Sequence, residues 1–326
     1  MTKCTPTDTG EVLRQIEAVR RAGADFVRLA VPDAEALAAF ARTKPQSPLP
    51  LVADVHFDHR LAIGAAEAGA DKLRINPGNL GGRDRLAAVA EAAQARDIPI
   101  RVGVNAGSLE EDLAAAHGGA TPEALCESAL RSVGLLGDVG FRDVVVSIKA
   151  SDIPRTVAAN RLFAQRSDAP LHLGITEAGF GMAGVVTSAI GLGVLLHEGL
   201  GDTIRVSLTE PPEREVEVGL EVLKALGLRG GVRLVSCPTC GRCKVDLRAV
   251  AEAVREGLRN LDADLTVAVM GCEVNGPGEA READVGLAAG AGKAVLFARG
   301  ERLRTVPIGG AAEALLAEAY RFAEGR

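Results

Sequence analysis

The sequence has no excess of positive charge: 37 lysines and arginines stand against 43 aspartates and glutamates, a net charge of -6. A nucleic-acid surface normally needs a clustered basic surplus, so the composition argues against one, and any bound anion must be met by a few placed cations. Long apolar runs are missing too. The most apolar stretch, Val185 to Leu196, is broken by Thr187, Ser188 and two glycines and is too short to cross a bilayer. Met1 to Gln15 lack the charged head and continuous apolar stretch of a secretory leader, and no segment has low complexity. These absences predict a soluble, cytoplasmic chain with no membrane and no nucleic-acid partner. What is present, 326 residues of which 47% are hydrophobic and 25% charged, suffices for one large domain and a small one.

The first two thirds repeat one pattern: a short β-branched run, a turn, then an Ala/Leu-rich stretch of helical period. The strands so predicted are Phe26 to Val31, Leu51 to Val55, Lys72 to Ile75, Ile100 to Val104, Val144 to Ile148, Leu171 to Ile175 and Ile204 to Leu208. Such alternation implies parallel β/α units, and seven of them is one short of a (β/α)₈ barrel of the TIM type. The first strand is the missing one, because only a polar stub precedes the helix Glu11 to Ala22. An incomplete barrel leaves open edges between the unit at Phe26 to Val31 and the unit at Ile204 to Leu208; a flavodoxin-like open sheet is the structural alternative. Pro212 to Leu226 reads as a closing helix. Beyond Gly227, Gly230 and Gly231 a small α/β domain follows, with strands near Arg233 to Val235, Leu265 to Met270, Val285 to Ala288 and Ala294 to Phe297 and helices at Val245 to Asn260 and Ala311 to Phe322. The expected division is 1-229 and 230-326.

Strands of a parallel barrel are covered on both faces and should be almost purely apolar. Several here are not: Arg28, Arg74, Arg101, Lys149 and Arg205 interrupt or end them, and only Asp54 and Glu177 offer carboxylates at comparable positions. Unpaired buried charge is costly, so a surplus of three cations calls for a bound anion and suits a diphosphate. Glycine-bearing loops add backbone donors at helix starts, in Asn105-Ala106-Gly107-Ser108, Asn76-Pro77-Gly78-Asn79 and Glu177-Ala178-Gly179-Phe180-Gly181.

Cys4 and Cys126 stand alone and read as incidental thiols. Cys237, Cys240, Cys243 and Cys272 crowd into one late stretch, which in a cytosolic chain favours a metal site over disulfides. Spacing alone leaves iron-sulfur and zinc equally open.

The segments Cys-Pro-Thr-Cys-Gly-Arg and Gly-Cys-Glu-Val-Asn-Gly-Pro-Gly-Glu-Ala resemble the iron-sulfur segments of the 4-hydroxy-3-methylbut-2-enyl diphosphate synthase family. The barrel is similar as well, in Val-Ala-Asp-Val-His-Phe-Asp, Leu-Arg-Ile-Asn-Pro-Gly-Asn, Gly-Val-Asn-Ala-Gly-Ser-Leu-Glu, Lys-Ala-Ser-Asp and Leu-Gly-Ile-Thr-Glu-Ala-Gly. The resemblance runs nearly end to end. It implies a [4Fe-4S] cluster held by Cys237, Cys240, Cys272 and Glu279. Cys243 departs from the family pattern and offers a thiolate in competition with Glu279. A second departure is at the N-terminus, where the family has a barrel strand before the segment resembling Met1-Thr2. The implied substrate contacts are Arg28, Asp54, His56, Arg74, Arg101, Asn105, Lys149, Thr176, Glu177, Arg205 and Ser207.

The resemblance further implies reductive ring opening of 2-C-methyl-D-erythritol 2,4-cyclodiphosphate, with flavodoxin or ferredoxin as electron donor. Glu177 is then the candidate acid for the departing hydroxyl, with His56 second, and Glu279 an exchangeable cluster ligand. A homodimer with shared sites is expected. The closing helix returns the chain to the bottom of the barrel, and the linker Gly227 to Gly231 reaches at most about 18 Å. That is shorter than the roughly 22 Å of the helix it would have to climb back along. Two rivals stay open, a non-catalytic phospholigand-binding barrel with a structural zinc ribbon and a metal-independent barrel transferase.

Overall fold

The computed structural model describes residues 1–325, which fall into two units, Met1–Val222 and a second from Leu223 on. The first contains seven strands, β1 (Val27–Ala30), β2 (Leu51–Asp54), β3 (Lys72–Ile75), β4 (Ile100–Asn105), β5 (Val144–Lys149), β6 (His172–Leu173) and β7 (Thr203–Ile204). Between and after them run α1 (Thr9–Arg21), α2 (Ala34–Thr43), α3 (His59–Glu67), α4 (Arg83–Gln94), α5 (Glu111–His117), α6 (Pro122–Asp138), α7 (Ile153–Ala164), α8 (Gly181–His197) and α9 (Pro212–Ala225). The boundary between units falls inside α9.

Strands β1 to β5 pair in parallel in sequence order, β6 pairs with β7, and a single bridge from Val146 to Leu171 joins the two groups. Sequential order is that of a barrel; a flavodoxin-like sheet would place its second strand outside its first. Every residue of β2 and β5 is buried, as expected where helices cover one face and the barrel interior the other. Helices begin abruptly after the loops because side chains cap them. Asp8, Asp33, Asp58, Thr121 and Asp152 accept from backbone N–H groups of the first turns of α1, α2, α3, α6 and α7.

Strands β6 and β7 are shorter than the sequence pattern predicts. The Arg205 N–H still donates to the Leu173 carbonyl at 2.9 Å, and at Gly174 a side chain would lie 2.6 Å from the carbonyl oxygen of Arg205, space that only glycine leaves free. Beyond it, the Leu208 N–H leaves the ladder for the Glu215 carboxylate. The expected open edge is partly covered: Thr2 N–H donates to the Arg28 carbonyl at 3.2 Å, and Lys3 Nζ reaches the Leu208 carbonyl and, at 3.0 Å, Glu215. Residues 1 to 3 thus bridge the segments on either side of the gap.

In the second unit the strand order is β12-β11-β10-β9-β8, with β8 (Val232–Ser236), β9 (Leu265–Met270), β10 (Val285–Ala289), β11 (Lys293–Ala298) and β12 (Glu301–Pro307). Strands β8, β9 and β10 run parallel, β11 pairs antiparallel with β10, and β12 antiparallel with β11. Helices α10 (Leu247–Gly257) and α12 (Ala311–Glu324) pack on a core of Val254, Val267, Val269, Leu287, Leu296 and Leu315. The short α11 (Gly276–Glu282) packs with Ala268, Met270, Ala288 and Phe297. Strand β12 and helix α11 escape a sequence reading. The first is an exposed edge rich in charge, without alternating apolar residues, and the second is one glycine-rich stretch of seven residues.

Among the described residues no helix is long and apolar enough to cross a membrane.

Candidate active site

In the first unit, strand register sets three charges side by side: Asp54 of β2 lies opposite Arg74 of β3, which lies opposite Arg101 of β4. One strand on, Asn105 lies opposite Lys149. Asp54 is buried and pairs with Arg74 at 3.1 Å and Arg28 at 3.5 Å. Burial works against its ionisation. The hydrogen bond from His56 and the charges of Arg28 and Arg74 outweigh that and hold the carboxyl well below the usual carboxylate range. His56 is half exposed, with its Nε2 3.4 Å from Asp54 and 2.8 Å from Arg74 Nη1.

Arg101 and Lys149 are different: 3% and 7% exposed, neither forms an ion pair among the described residues. Burial, with repulsion from the other cations, lowers Arg101 to about 9 and Arg28 to about 10, and Lys149 well below the ordinary lysine value. Two glycines make room for this crowding. A side chain at Gly103 would sit 2.5 Å from Arg74 Nη2, and one at Gly174 would sit 2.9 Å from Lys149 Nζ.

The carboxylate that joins Asp54 in balancing the cations is Glu215, not Glu177. From the first turn of α9, Glu215 is 5% exposed, accepts from the Leu208 N–H at 2.9 Å and lies 3.5 Å from Arg205. Glu177 is exposed, pairs with neither Arg205 nor Lys149, and holds a φ of +54°, a left-handed conformation that a glutamate adopts only at some cost. With Lys3, whose Nζ lies 3.0 Å from Glu215, six cations face the two buried acids. Arg205 Nε is buried without a hydrogen-bond partner among the described residues. Asn105, Thr176 and Ser207 are half-buried. A further residue with no sequence signal is His172. It is fully enclosed, with Nδ1 2.8 Å from Thr203 Oγ1, and burial, then the charges of Lys149 and Arg101, push it toward neutrality.

In the second unit a cavity of about 340 Å³ is lined by Cys237, Cys240, Cys243, Cys272, Arg242 and Glu279, among others. Strands β8 and β9 are parallel and in register, so their ends deliver Cys237 and Cys272 to the same edge. Backbone N–H groups of Asn275, Gly276 and Val274 lower the Cys272 thiol, and the Arg242 N–H and guanidinium lower that of Cys240. Both favour the thiolate, the form that binds metal. Among the described residues no three of these side chains already converge at ligating distance. The donor set of soft thiolates with one carboxylate at a shared cavity nevertheless fits an iron-sulfur or zinc centre.

The GcpE TIM-barrel domain model matches residues 1–220, and the GcpE protein C-terminal domain model matches residues 233–321. The chain belongs to the GcpE family. A GcpE relative from Geobacter sulfurreducens is 56% identical over 316 residues, covering 97% of this chain and 90% of its own length. Another from Maridesulfovibrio salexigens is 53% identical over 304 residues (92% and 85%), and one from Natranaerobius thermophilus 51% over 307 residues (94% and 86%). All three are named 4-hydroxy-3-methylbut-2-en-1-yl diphosphate synthase (flavodoxin).

Proposed function

We propose that this chain is a cytoplasmic iron-sulfur reductase that opens 2-C-methyl-D-erythritol 2,4-cyclodiphosphate to 4-hydroxy-3-methylbut-2-enyl diphosphate with electrons from flavodoxin. In this reading residues 1-229 bind the substrate and residues 230-326 carry a [4Fe-4S] cluster. The observation that carries the proposal is the buried pair Arg101 and Lys149, without an ion-pair partner among the described residues, inside a barrel of this family. Such charges are stable only when an anion completes them, and a diphosphate has the charge to do so.

Arg28, Arg74, Arg101, Lys149 and Arg205 hold the diphosphate. Asp54 fixes the directions of Arg28, Arg74 and His56 through its contacts. Asn105, Thr176 and Ser207 contribute hydrogen bonds to the carbon skeleton, so that binding energy positions the reacting carbons. Glu177 donates a proton from its carboxyl to the departing hydroxyl, which leaves as water, with His56 as the second proton source. Cys237, Cys240, Cys272 and Glu279 would hold the cluster, which when bound supplies two electrons one at a time. Cys243 lies outside this set. A homodimer with each cluster domain serving its partner's barrel belongs to the same reading, on the short reach of the linker Gly227 to Gly231.

Anaerobic purification followed by iron, sulfide and zinc analysis tests the reading. Brown protein that reduces the cyclic diphosphate with reduced flavodoxin is expected, with Glu177→Gln binding substrate but turning over slowly. Colourless protein with stoichiometric zinc and no turnover would overturn it. Mixing Glu177→Gln with Cys272→Ser after subunit exchange tests sharing: each heterodimer regains one complete site, so about one quarter of wild-type activity returns.

A further inference from the structure

The four clustered cysteines are not equivalent. Cys237 and Cys243 both pack against the apolar core beneath α10, whereas Cys240 is exposed and turned toward Arg242. Gly271 measures how near the first two are: a side chain built there would meet Cys243 Sγ at 2.5 Å and Cys237 Sγ at 3.4 Å. The two sulfurs therefore lie within about 6 Å of each other, facing a residue without a side chain. A change of χ1 rotamer moves a thiol sulfur by about 3 Å, which covers the remaining distance to a bond if both turn. A tight turn, closed by the Cys243 N–H donating to the Cys240 carbonyl at 2.8 Å, folds the chain back so that two cysteines six residues apart flank Gly271 together. The hydrogen bonds also differ. Cys243 Sγ donates to the Val245 carbonyl at 3.3 Å, while Cys237 Sγ accepts from the Gly271 N–H at 3.3 Å.

We infer that Cys237 and Cys243 form a reversible disulfide when the protein carries no cluster, a redox site that shares Cys237 with the proposed ligand set. The oxidant is a small-molecule disulfide such as oxidised glutathione. One protein thiolate attacks it, forming a mixed disulfide and releasing one small thiol; the second protein thiol then attacks the mixed disulfide and releases the other. Two cysteines lose two protons and two electrons to make one S–S bond, and the small disulfide is reduced to two thiols. The bond withdraws Cys237 from metal binding and shields it from irreversible oxidation until a dithiol reopens it. This consequence rests on the reading of Cys237 as a cluster ligand; the disulfide itself does not.

The test uses the full chain, stripped of metal by a chelator under anaerobic conditions, exposed to oxidised glutathione, then alkylated and peptide-mapped by mass spectrometry. An internal Cys237–Cys243 bond should predominate, with Cys240 and Cys272 remaining alkylatable or glutathionylated. Uptake of iron and sulfide should slow at least tenfold until a dithiol is added. Cys243→Ser, with Cys243→Ala as a second variant should the first fold poorly, should take up iron and sulfide normally but leave Cys237 as a mixed disulfide with glutathione. Predominance of a bond to Cys240 or Cys272, or no internal bond in wild type, would overturn the inference. A fully reduced protein that takes up no iron and sulfide would instead overturn the cluster reading, because the peptide map does not depend on it.

Discussion

Replacing Arg101 by methionine should make the ligand-free protein more stable while abolishing its response to diphosphate. The guanidinium is 3% exposed and has no carboxylate partner among the described residues, and burial, then repulsion from the other cations, lowers it far below an ordinary guanidinium, to about 9. At about 1.4 kcal/mol per tenfold change in proton affinity, that environment costs roughly 4 to 5 kcal/mol for the folded-state charge. Relaxation and water at the mouth reduce what is recoverable, and exchange of buried ions for apolar groups of similar shape gains about 1 to 4 kcal/mol in practice. A net gain of about 2 kcal/mol raises the melting temperature by roughly 4 to 8 °C for a unit of this size. The sign with pH follows from a base depressed in the folded state. Arg101 is charged in both folded and unfolded chains at neutral pH, so its penalty is full below about 9 and eases only as pH rises beyond that value. The gain should therefore be constant between pH 6 and 8. Differential scanning calorimetry with and without inorganic diphosphate checks both halves: wild type should be stabilised by about 2.7 kcal/mol when diphosphate exceeds its Kd a hundredfold, and the variant hardly at all. A variant that melts below wild type without ligand, or responds to diphosphate as wild type does, would refute the unpaired-cation argument.

Gly103→Ala places a methyl 2.5 Å from Arg74 Nη2 and must displace the guanidinium from Asp54; titration calorimetry should show diphosphate affinity down about tenfold or more, which corresponds to about 1.4 kcal/mol, and unchanged affinity would count against Arg74 as a ligand. Glu215→Ala strands the Leu208 N–H and leaves Arg205 uncompensated, for a loss of about 2 to 4 kcal/mol in urea unfolding, whereas Glu215→Gln keeps the acceptor and should lose less. Equal losses would mean that the charge of Glu215 is irrelevant. His172 is held neutral in the folded state, so as pH falls through about 6.5 the unfolded chain takes up a proton that the folded one refuses, and stability declines. His172→Gln should flatten the decline between pH 7 and 5 by up to about 1.4 kcal/mol per pH unit, and an unchanged slope would remove His172 as its source.

The barrel was legible because its strands are apolar runs at regular spacing, and the cluster of buried cations because Arg74 and Arg101 break runs that should contain no charge. Both signals come from cost: a buried cation is expensive enough that its position in a strand carries information. Glu215 illustrates the limit. It sits among other glutamates in the Pro-Glu-Arg-Glu opening of an amphipathic helix, a common sequence on a solvated surface, and only its packing against Leu208 and Arg205 sets it apart. Glu177 shows the converse, a carboxylate in a suggestive motif whose side chain stays out of the ion-pair set. The glycines at 103, 174 and 271 were equally silent, since what they exclude is a neighbouring side chain that no local pattern mentions. The cysteines could be grouped from spacing, but the nearness of the Cys237 and Cys243 sulfurs around Gly271 needed the fold.

Strands β8 and β9 bear on how freely this chain can change. The two cysteines at their ends are neighbours because Ser236 and Val269 are partners in a parallel ladder, extended by the Cys237 N–H donating to the Val269 carbonyl at 3.2 Å. The intervening chain, α10 and the connection at Arg259 to Asp264, does not set their distance. Insertions, a nick or relocated chain ends in that connection leave the ladder intact, so evolution and engineering alike can lengthen or cut the tether while the two thiols stay where the backbone of the sheet puts them.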